Sequence, residues 1–188
     1  MENVSLEALP GKVTALFGPD GASTLLTVAL GLVRPERGRV TVDGVDLDDL
    51  DPSEWWSKVA WVPQRPALVA GTLADNIRMG WSATDAEVAD AAVAADLDDV
   101  ADRLDAVVPE DRLSDAERQR IGMARAFLRN SAVVLLDEPI AMLDADTERA
   151  LAVLRRLVAG RTVLMAAYRP ALLPLADVVV ALPALVTV

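Results

Sequence analysis

Two neighbouring carboxylates at the end of an apolar run are the residues of this chain best suited to metal-dependent phosphate chemistry. The run at residues 133–136 stops abruptly at Asp137, Glu138 and Pro139. A buried strand that ends in this way can present one carboxylate to a divalent cation and the other to an attacking water molecule. The alternative is an apolar strand that simply ends at a polar turn, where the proline blocks further pairing.

A glycine-rich turn near the start of the chain has part of the pattern of a phosphate-binding loop. That pattern is Gly, four residues, then Gly-Lys-Ser/Thr, in which backbone N–H groups surround the phosphates and the lysine reaches their terminal oxygens. The turn keeps the start and the Ser-Thr end but lacks the Gly-Lys pair, so it has lost both the cation and part of the ring of N–H groups. Two interpretations of the turn stay open: it binds nucleotide weakly, or it is a tight strand–helix connection that binds nothing. The turn consists of Gly18, Pro19, Asp20, Gly21, Ala22, Ser23 and Thr24.

The composition limits what the chain can bind. Its 188 residues suit one domain, and a formal charge of −11 disfavours nucleic acid, which is bound largely through lysine and arginine. The absence of histidine excludes imidazole acid–base chemistry and histidine-ligated metals, and the absence of cysteine excludes disulfides. Residues 171–188 are apolar, but Pro174, Asp177 and Pro183 interrupt them, which argues against a membrane span.

The elements that position these residues alternate between strands and helices. Periodicity and turn signals predict strands over residues 4–9, 12–17, 39–42, 58–62, 133–136, 162–166 and 177–182. They predict helices over residues 24–33, 115–129 and 145–159, with one or two more within 85–104. Such alternation indicates an α/β fold with a mostly parallel sheet flanked by helices.

Four segments occur in a characteristic order: the glycine-rich turn, a glutamine after a strand, an LS-x-x-x-R-Q-R helix start, and a strand that ends in Asp-Glu-Pro. Together they resemble the nucleotide-binding domain of an ATP-binding cassette (ABC) transporter of the exporter type, particularly the thiol-reductant exporters of cytochrome bd assembly. The resemblance implies a P-loop NTPase-like fold over residues 1–188, with a small antiparallel β portion at the N-terminus and a helical subdomain at about 72–128. It also implies that the N-terminal strand region is incomplete, without the aromatic residue that would stack on adenine.

The resemblance also implies roles for individual residues. The glycine-rich turn would hold the phosphates of ATP, and Asp137, Ser23 and Gln64 would hold Mg²⁺. Glu138 would polarise the attacking water, while Gln64 would sense the γ-phosphate. Tyr168 stands at the position of the switch histidine, whose role at neutral pH a phenol cannot carry.

Ser114 has two possible roles. In the family, the corresponding LSGGQ segment presents a helix N-terminus to the γ-phosphate held by a partner subunit, and Ser114 would make this contact. Here Asp115 and Glu117 would place two carboxylates where the phosphate approaches. Ser114 and Glu117 also have the spacing of a capping box, which starts a helix without any ligand. We favour capping over phosphate contact.

The family predicts an ATP-binding subunit that couples ATP hydrolysis to transport, located at the cytoplasmic face of a membrane. Its partners would be a transporter membrane domain and a second nucleotide-binding domain, in a homo- or heterodimer. The loop at residues 141–144 would face the second nucleotide-binding domain. Since three ATP-contacting motifs are altered, we expect ATP and Mg²⁺ binding to be weakened or lost. The alternatives are a degenerate cassette with a structural or regulatory role, and a stand-alone soluble P-loop-like protein.

Overall fold

The computed structural model describes residues 4–97, 104–107, 113–140 and 147–183. Its strands are β1 (Val13–Phe17), β2 (Thr41–Val42), β3 (Val45–Asp46), β4 (Val59–Val62), β5 (Val133–Asp137), β6 (Thr162–Ala166) and β7 (Val178–Ala181). Its helices are α1 (Ala22–Ala29), α2 (Pro52–Lys58), α3 (Leu73–Arg78), α4 (Asp85–Ala94), α5 (Asp115–Arg129) and α6 (Thr147–Val158). Short 3₁₀ turns occupy Leu47–Asp49 and Pro170–Leu175.

Five of the strands form one parallel sheet in the order β4-β5-β6-β1-β7. Successive strand side chains point to opposite faces, so two cores form. Val134 and Leu136 belong to the core beneath α3–α6, whereas Leu135 belongs to the core beneath α1 and α2. The predicted α/β fold with a mostly parallel sheet is confirmed, and the carboxyl ends of the five strands meet at one edge.

The helices α3, α4 and α5 share the same core and begin in the same way. Each starts with a capping box, in which a threonine or serine accepts from the third helical N–H and an acidic side chain reaches back. The backbone next to α3 is also tied to residues 104–107, because Leu73 and Ala74 donate to Ala106 and Leu104 at 3.1 and 2.9 Å. The three helices pack against one another, and α5 also packs against β4.

Several sequence predictions fail in detail. Residues 4–9 form no strand, and the antiparallel portion is instead the β2–β3 hairpin. Asp43 and Gly44 turn this hairpin with φ values of 51° and 81°, the left-handed geometry that a tight hairpin needs. The helices α2 and α3 were not predicted because both are shorter than two turns and show no apolar periodicity, although Asp51-Pro52 is a recognisable helix start.

None of the helices in the described ranges is long and apolar enough to cross a membrane.

Candidate functional site

The two carboxylates stand where β5 leaves the sheet. Asp137 is the last residue of β5, and the Glu138 N–H still donates to the Ala166 carbonyl of β6 at 3.2 Å. Glu138 then turns the chain with φ 45°, a left-handed conformation that residues other than glycine rarely adopt. Backbone strain of this kind concentrates at functional sites. The strand therefore presents the two side chains at the carboxyl edge of the sheet.

Asp137 and Ser23 form a direct pair across the edge of the sheet. The Ser23 hydroxyl donates to Asp137 Oδ1 at 2.7 Å, and Asp137 is 8% exposed. Burial raises the pKa of Asp137, and the hydrogen bond from Ser23 works in the opposite direction. A carboxylate and a hydroxyl held together in this way are hard oxygen donors of the kind that Mg²⁺ prefers.

Glu138 is held by the backbone of Tyr168. The Tyr168 N–H donates to Glu138 Oε1, which leaves Oε2 as the oxygen not used by this bond. Burial raises the pKa of Glu138 and the charge of Asp137 adds to the rise, whereas the Tyr168 hydrogen bond and the charge of Arg169 lower it. The carboxylate thus has a fixed orientation and an increased affinity for a proton, which are the properties of a general base.

The glycine-rich turn leads directly into α1. The helix begins at Ala22, with Gly21 as its N-cap at φ 83°, and none of the described side chains caps it. The Ser23 hydroxyl does not cap the helix, because it donates to Asp137 Oδ1 instead. The first N–H groups of α1 therefore carry the positive end of the helix dipole without a capping side chain.

A cleft of about 480 Å³ brings most of the predicted site residues together. It is lined by Gln64 after β4, Glu138 after β5, and Tyr168 and Arg169 after β6. The remaining lining residues are Ala166 at the end of β6 and six residues of the glycine-rich turn: Gly18, Pro19, Asp20, Gly21, Ala22 and Ser23. Four strands thus deliver their following residues to one cleft, as expected at the carboxyl edge of a parallel sheet.

Three predicted site residues lie outside the lining of this cleft, and one of them, Asp137, is bonded to the lining residue Ser23. Thr24 is exposed on α1, where its carbonyl accepts from the Thr27 hydroxyl at 2.8 Å. Ser114 caps α5: Ser114 Oγ accepts from the Glu117 N–H at 3.2 Å, and Glu117 Oε2 accepts from the Ser114 N–H at 2.8 Å. The favoured capping role of Ser114 is therefore present. The loop at residues 141–144 lies outside the described residues.

Arg169 is a lining residue that we did not predict. It directly follows Tyr168, and its side chain is half-buried at the start of the Pro170–Leu175 turn. The available signal was its position just after a strand of the parallel sheet, where side chains gather at the same edge as the phosphate-binding turn.

Comparison with known proteins places the chain in a family. Residues 1–141 match the family described as "ABC transporter". The chain belongs to the ABC transporter family. A solved structure of a bacterial Atm1-family ABC exporter with ATP bound matches with a TM-score of 0.87 and 31% identity, covering 96% of this chain and 33% of the other. These matches identify an ATP-binding domain of the exporter type, and they confirm the P-loop NTPase-like fold.

Two curated relatives of this ABC domain carry both an ATP-binding and a permease part in their names. The multidrug resistance ATP-binding and permease protein of Lactococcus lactis is 34% identical over 180 residues, covering 90% of this chain and 30% of the relative. The mycobactin import ATP-binding/permease protein of Mycolicibacterium thermoresistibile is 40% identical over 159 residues, with coverages of 80% and 28%. The chain thus spans under a third of the length of either relative. The finer likeness to thiol-reductant exporters stays a prediction.

The donor groups of this ABC domain fit Mg²⁺ better than they fit a polyphosphate. Ser23 and Gln64 line the cleft with hydroxyl and amide groups, and the Asp137 carboxylate is bonded to Ser23, a donor set that suits a hard cation. The uncapped start of α1 suits an anion. The turn itself, however, carries Asp20 and lacks a lysine, so the phosphates would meet fewer charge-assisted contacts than in a complete loop.

Proposed function

We propose that this chain is the nucleotide-binding domain of an ABC exporter in which Mg-ATP binding is weakened and hydrolysis is slow or lost. The observation that carries the proposal is the Ser23–Asp137 pair, 2.7 Å apart, which stands beside a phosphate turn with no lysine. The metal side of the site is assembled, while the anion side lacks its main cation. The proposed single domain covers residues 1–188, with a helical subdomain at about 72–128.

The proposed roles follow from the geometry of the cleft. Ser23, Asp137 and Gln64 would hold Mg²⁺, which when bound neutralises phosphate charge and orients the terminal phosphate. Glu138 would take a proton from the attacking water on Oε2, because Oε1 already accepts the Tyr168 N–H. Tyr168 would fix the orientation of this base through its backbone. Its phenol could donate a hydrogen bond to a phosphate but could not replace an imidazole.

An exposed apolar surface supports a membrane-domain partner. Val69, Met79 and Trp81 are 46%, 49% and 38% exposed and line one cleft of about 600 Å³, on the segment that follows Gln64. Both named relatives combine an ATP-binding and a permease part. We place the domain at the cytoplasmic face of a membrane, against a membrane domain and a second nucleotide-binding domain.

A degenerate cassette with a purely structural or regulatory role is the second candidate. The capping box at α5 favours it, because Ser114 and Glu117 satisfy each other and present a carboxylate at the start of the helix. A γ-phosphate held by a partner subunit would be repelled there. A heterodimer could then hydrolyse ATP mainly at a site built by its partner.

Titration of the purified chain with labelled ATP and Mg²⁺ tests these functions. We expect binding in the upper micromolar to millimolar range, with turnover too slow to sustain a transport cycle. Micromolar binding with turnover that Glu138→Gln abolishes would show a competent ATPase and contradict weakening. No binding at millimolar nucleotide would favour the structural cassette. The Glu138→Gln variant keeps an oxygen for the Tyr168 N–H, so it is a matched test of the base.

A further inference from the structure

The cleft between the glycine-rich turn and the ends of β4, β5 and β6 is rich in negative charge. Asp20 and Glu138 line it, and Asp137 is bonded to Ser23 at its wall. A polyphosphate entering this cleft adds further negative charge, so binding requires a compensating cation besides Mg²⁺. Among the described residues that line the cleft, Arg169 is the only lysine or arginine.

Three other cations lie away from the cleft. Lys12 precedes β1 and pairs with Asp177 at 3.0 Å, and Lys58 precedes β4 and pairs with Glu54 at 2.6 Å. Both therefore lie at the amino ends of their strands, on the opposite edge of the sheet from the cleft. The side chain of Arg34 is 80% exposed beyond the C-terminus of α1 and pairs with Asp48 at 3.3 Å.

The backbone holds Arg169 at the rim of the cleft. On one side, the Tyr168 N–H is bonded to the Glu138 carboxylate. On the other side, the Arg169 carbonyl accepts from the Leu172 N–H at 3.1 Å, and Leu172 is completely buried. Arg169 and Glu138 both line the cleft, so the two side chains can contact one ligand.

We propose that Arg169 is the phosphate-binding cation of this domain and replaces the lysine that the glycine-rich turn lacks. A guanidinium presents five N–H donors in a plane and binds phosphate oxygens in pairs, so it can serve from outside the turn. Because Arg169 approaches from the end of β6 and not from the turn, it would contact the terminal phosphates. Nucleotides with more phosphates should therefore depend on it more strongly.

The test measures affinity and not turnover. Labelled ATP is bound to the full chain with Mg²⁺, and unlabelled ATP, ADP and AMP compete with it, in the wild type and in Arg169→Gln and Arg169→Lys. We expect Arg169→Gln to weaken ATP about 10- to 100-fold, as for loss of a charge-assisted hydrogen bond, and to leave AMP nearly unchanged. Arg169→Lys should retain part of the difference between ATP and AMP. Arg34→Ala is the matched control and should bind as the wild type does.

The outcomes separate this inference from the proposed nucleotide site on which it rests. If the wild type binds ATP and Arg169→Gln keeps the wild-type ratio of ATP to AMP affinity, Arg169 is only a structural partner of Glu138 and the inference is wrong. If the wild type binds no nucleotide at millimolar concentration, both fail. If Arg169→Gln does not fold, an unchanged ratio in Arg169→Lys contradicts the inference and a smaller ratio supports it.

Discussion

Each carboxylate at the end of β5 combines burial with a single hydrogen-bond donor. Asp137 accepts from the Ser23 hydroxyl, and Glu138 accepts from the Tyr168 backbone. In both residues the effect of burial outweighs the hydrogen bond, since both pKa values are raised. Ionising these groups therefore opposes folding.

The raised pKa of Asp137 predicts a pH-dependent gain in stability for Asp137→Asn. The folded state binds a proton more tightly than the unfolded chain, so this proton favours folding at low pH and the advantage is lost as pH rises through the folded pKa. The asparagine side chain would keep an oxygen for the Ser23 hydroxyl without ionising. We expect the variant to melt a few degrees above the wild type at pH 7, with the difference closing as pH falls toward 4.

Melting temperature measured across this pH range by circular dichroism checks the prediction. The exposed Asp90 on α4 supplies the matched control, Asp90→Asn, which removes one carboxylate from the surface. A gain in Asp137→Asn that is the same at every pH would mean that the altered packing, and not the ionisation, is responsible.

At the scale of elements, α5 holds the segment that carries Gln64. Gln119 Nε2 donates to the Pro63 carbonyl at 3.3 Å, and Gly122 lets the helix approach Pro66 closely. A Cβ on Gly122 would lie 2.6 Å from Pro66 Cγ and 3.6 Å from Val62 Cγ1. Helix α5 and the segment that follows β4 thus meet at a contact that only a glycine permits.

We predict that Gly122→Ala destabilises the protein by about 1–3 kcal/mol, although alanine is the better helix former, because the proline ring cannot rotate out of the way. Pro66→Ala removes the nearest atom and leaves Cβ at 3.3 Å. In that background Gly122→Ala should be much less harmful. Urea unfolding of the two single variants and the double variant measures the coupling. Additive losses would show that the close approach is not the cause.

The capping box at α5 predicts a separate effect on stability. Ser114→Ala removes the acceptor for the Glu117 N–H and should lower the free energy of unfolding by about 1 kcal/mol. Ser114→Thr keeps a hydroxyl and should lose only a fraction of that. If ATP binding to the isolated chain also falls in Ser114→Ala, the residue has a ligand role within one subunit beyond capping. Urea unfolding and the ATP titration are compared on the same samples.

At the scale of the whole molecule, the motifs occur in the order of the family, and the cleft has both acidic and basic side chains in its lining: Asp20, Glu138 and Arg169. The sheet brings residues that follow β1, β4, β5 and β6 to one edge, so the site is assembled by the fold as a whole. The formal charge of −11 over 188 residues adds a general repulsion of anions. The net charge of the molecule therefore does not supply the positive charge that the glycine-rich turn lacks.

Restoring Gly-Lys between Ala22 and Ser23 should raise ATP affinity about tenfold or more, because it returns both the cation and the missing N–H groups. An insertion of Gly-Ala at the same place returns the backbone alone and is the matched control. Labelled-ATP titration with Mg²⁺ compares the two insertions with the wild type. If ATP affinity rises with the Gly-Lys insertion and not with Gly-Ala, the positive charge is the missing part. No gain from either insertion would mean that the turn does not bind phosphate as we align it.

The order of elements and the kind of site were readable from the sequence because their signals are local. Apolar runs predicted the ends of β1, β4, β5, β6 and β7 to within a residue or two. The spacing of Ser114 and Glu117 predicted the start of α5. The short helices α2 and α3 were missed, since neither is long enough to show a period. The strand predicted at residues 4–9 did not form, because alternating apolar residues do not specify which strand would pair with them.

The partners of the site residues were decided only by tertiary structure. Ser23 and Asp137 lie 114 positions apart in the chain, and Tyr168 lies 30 positions after Glu138, yet each pair is hydrogen-bonded. The sequence alone determined that this is a cassette with intact carboxylates and an incomplete phosphate turn. Ser23 is bonded to Asp137 and does not cap its own helix, and Arg169 lines the cleft. Both arrangements arise because strands far apart in the chain become neighbours in one parallel sheet.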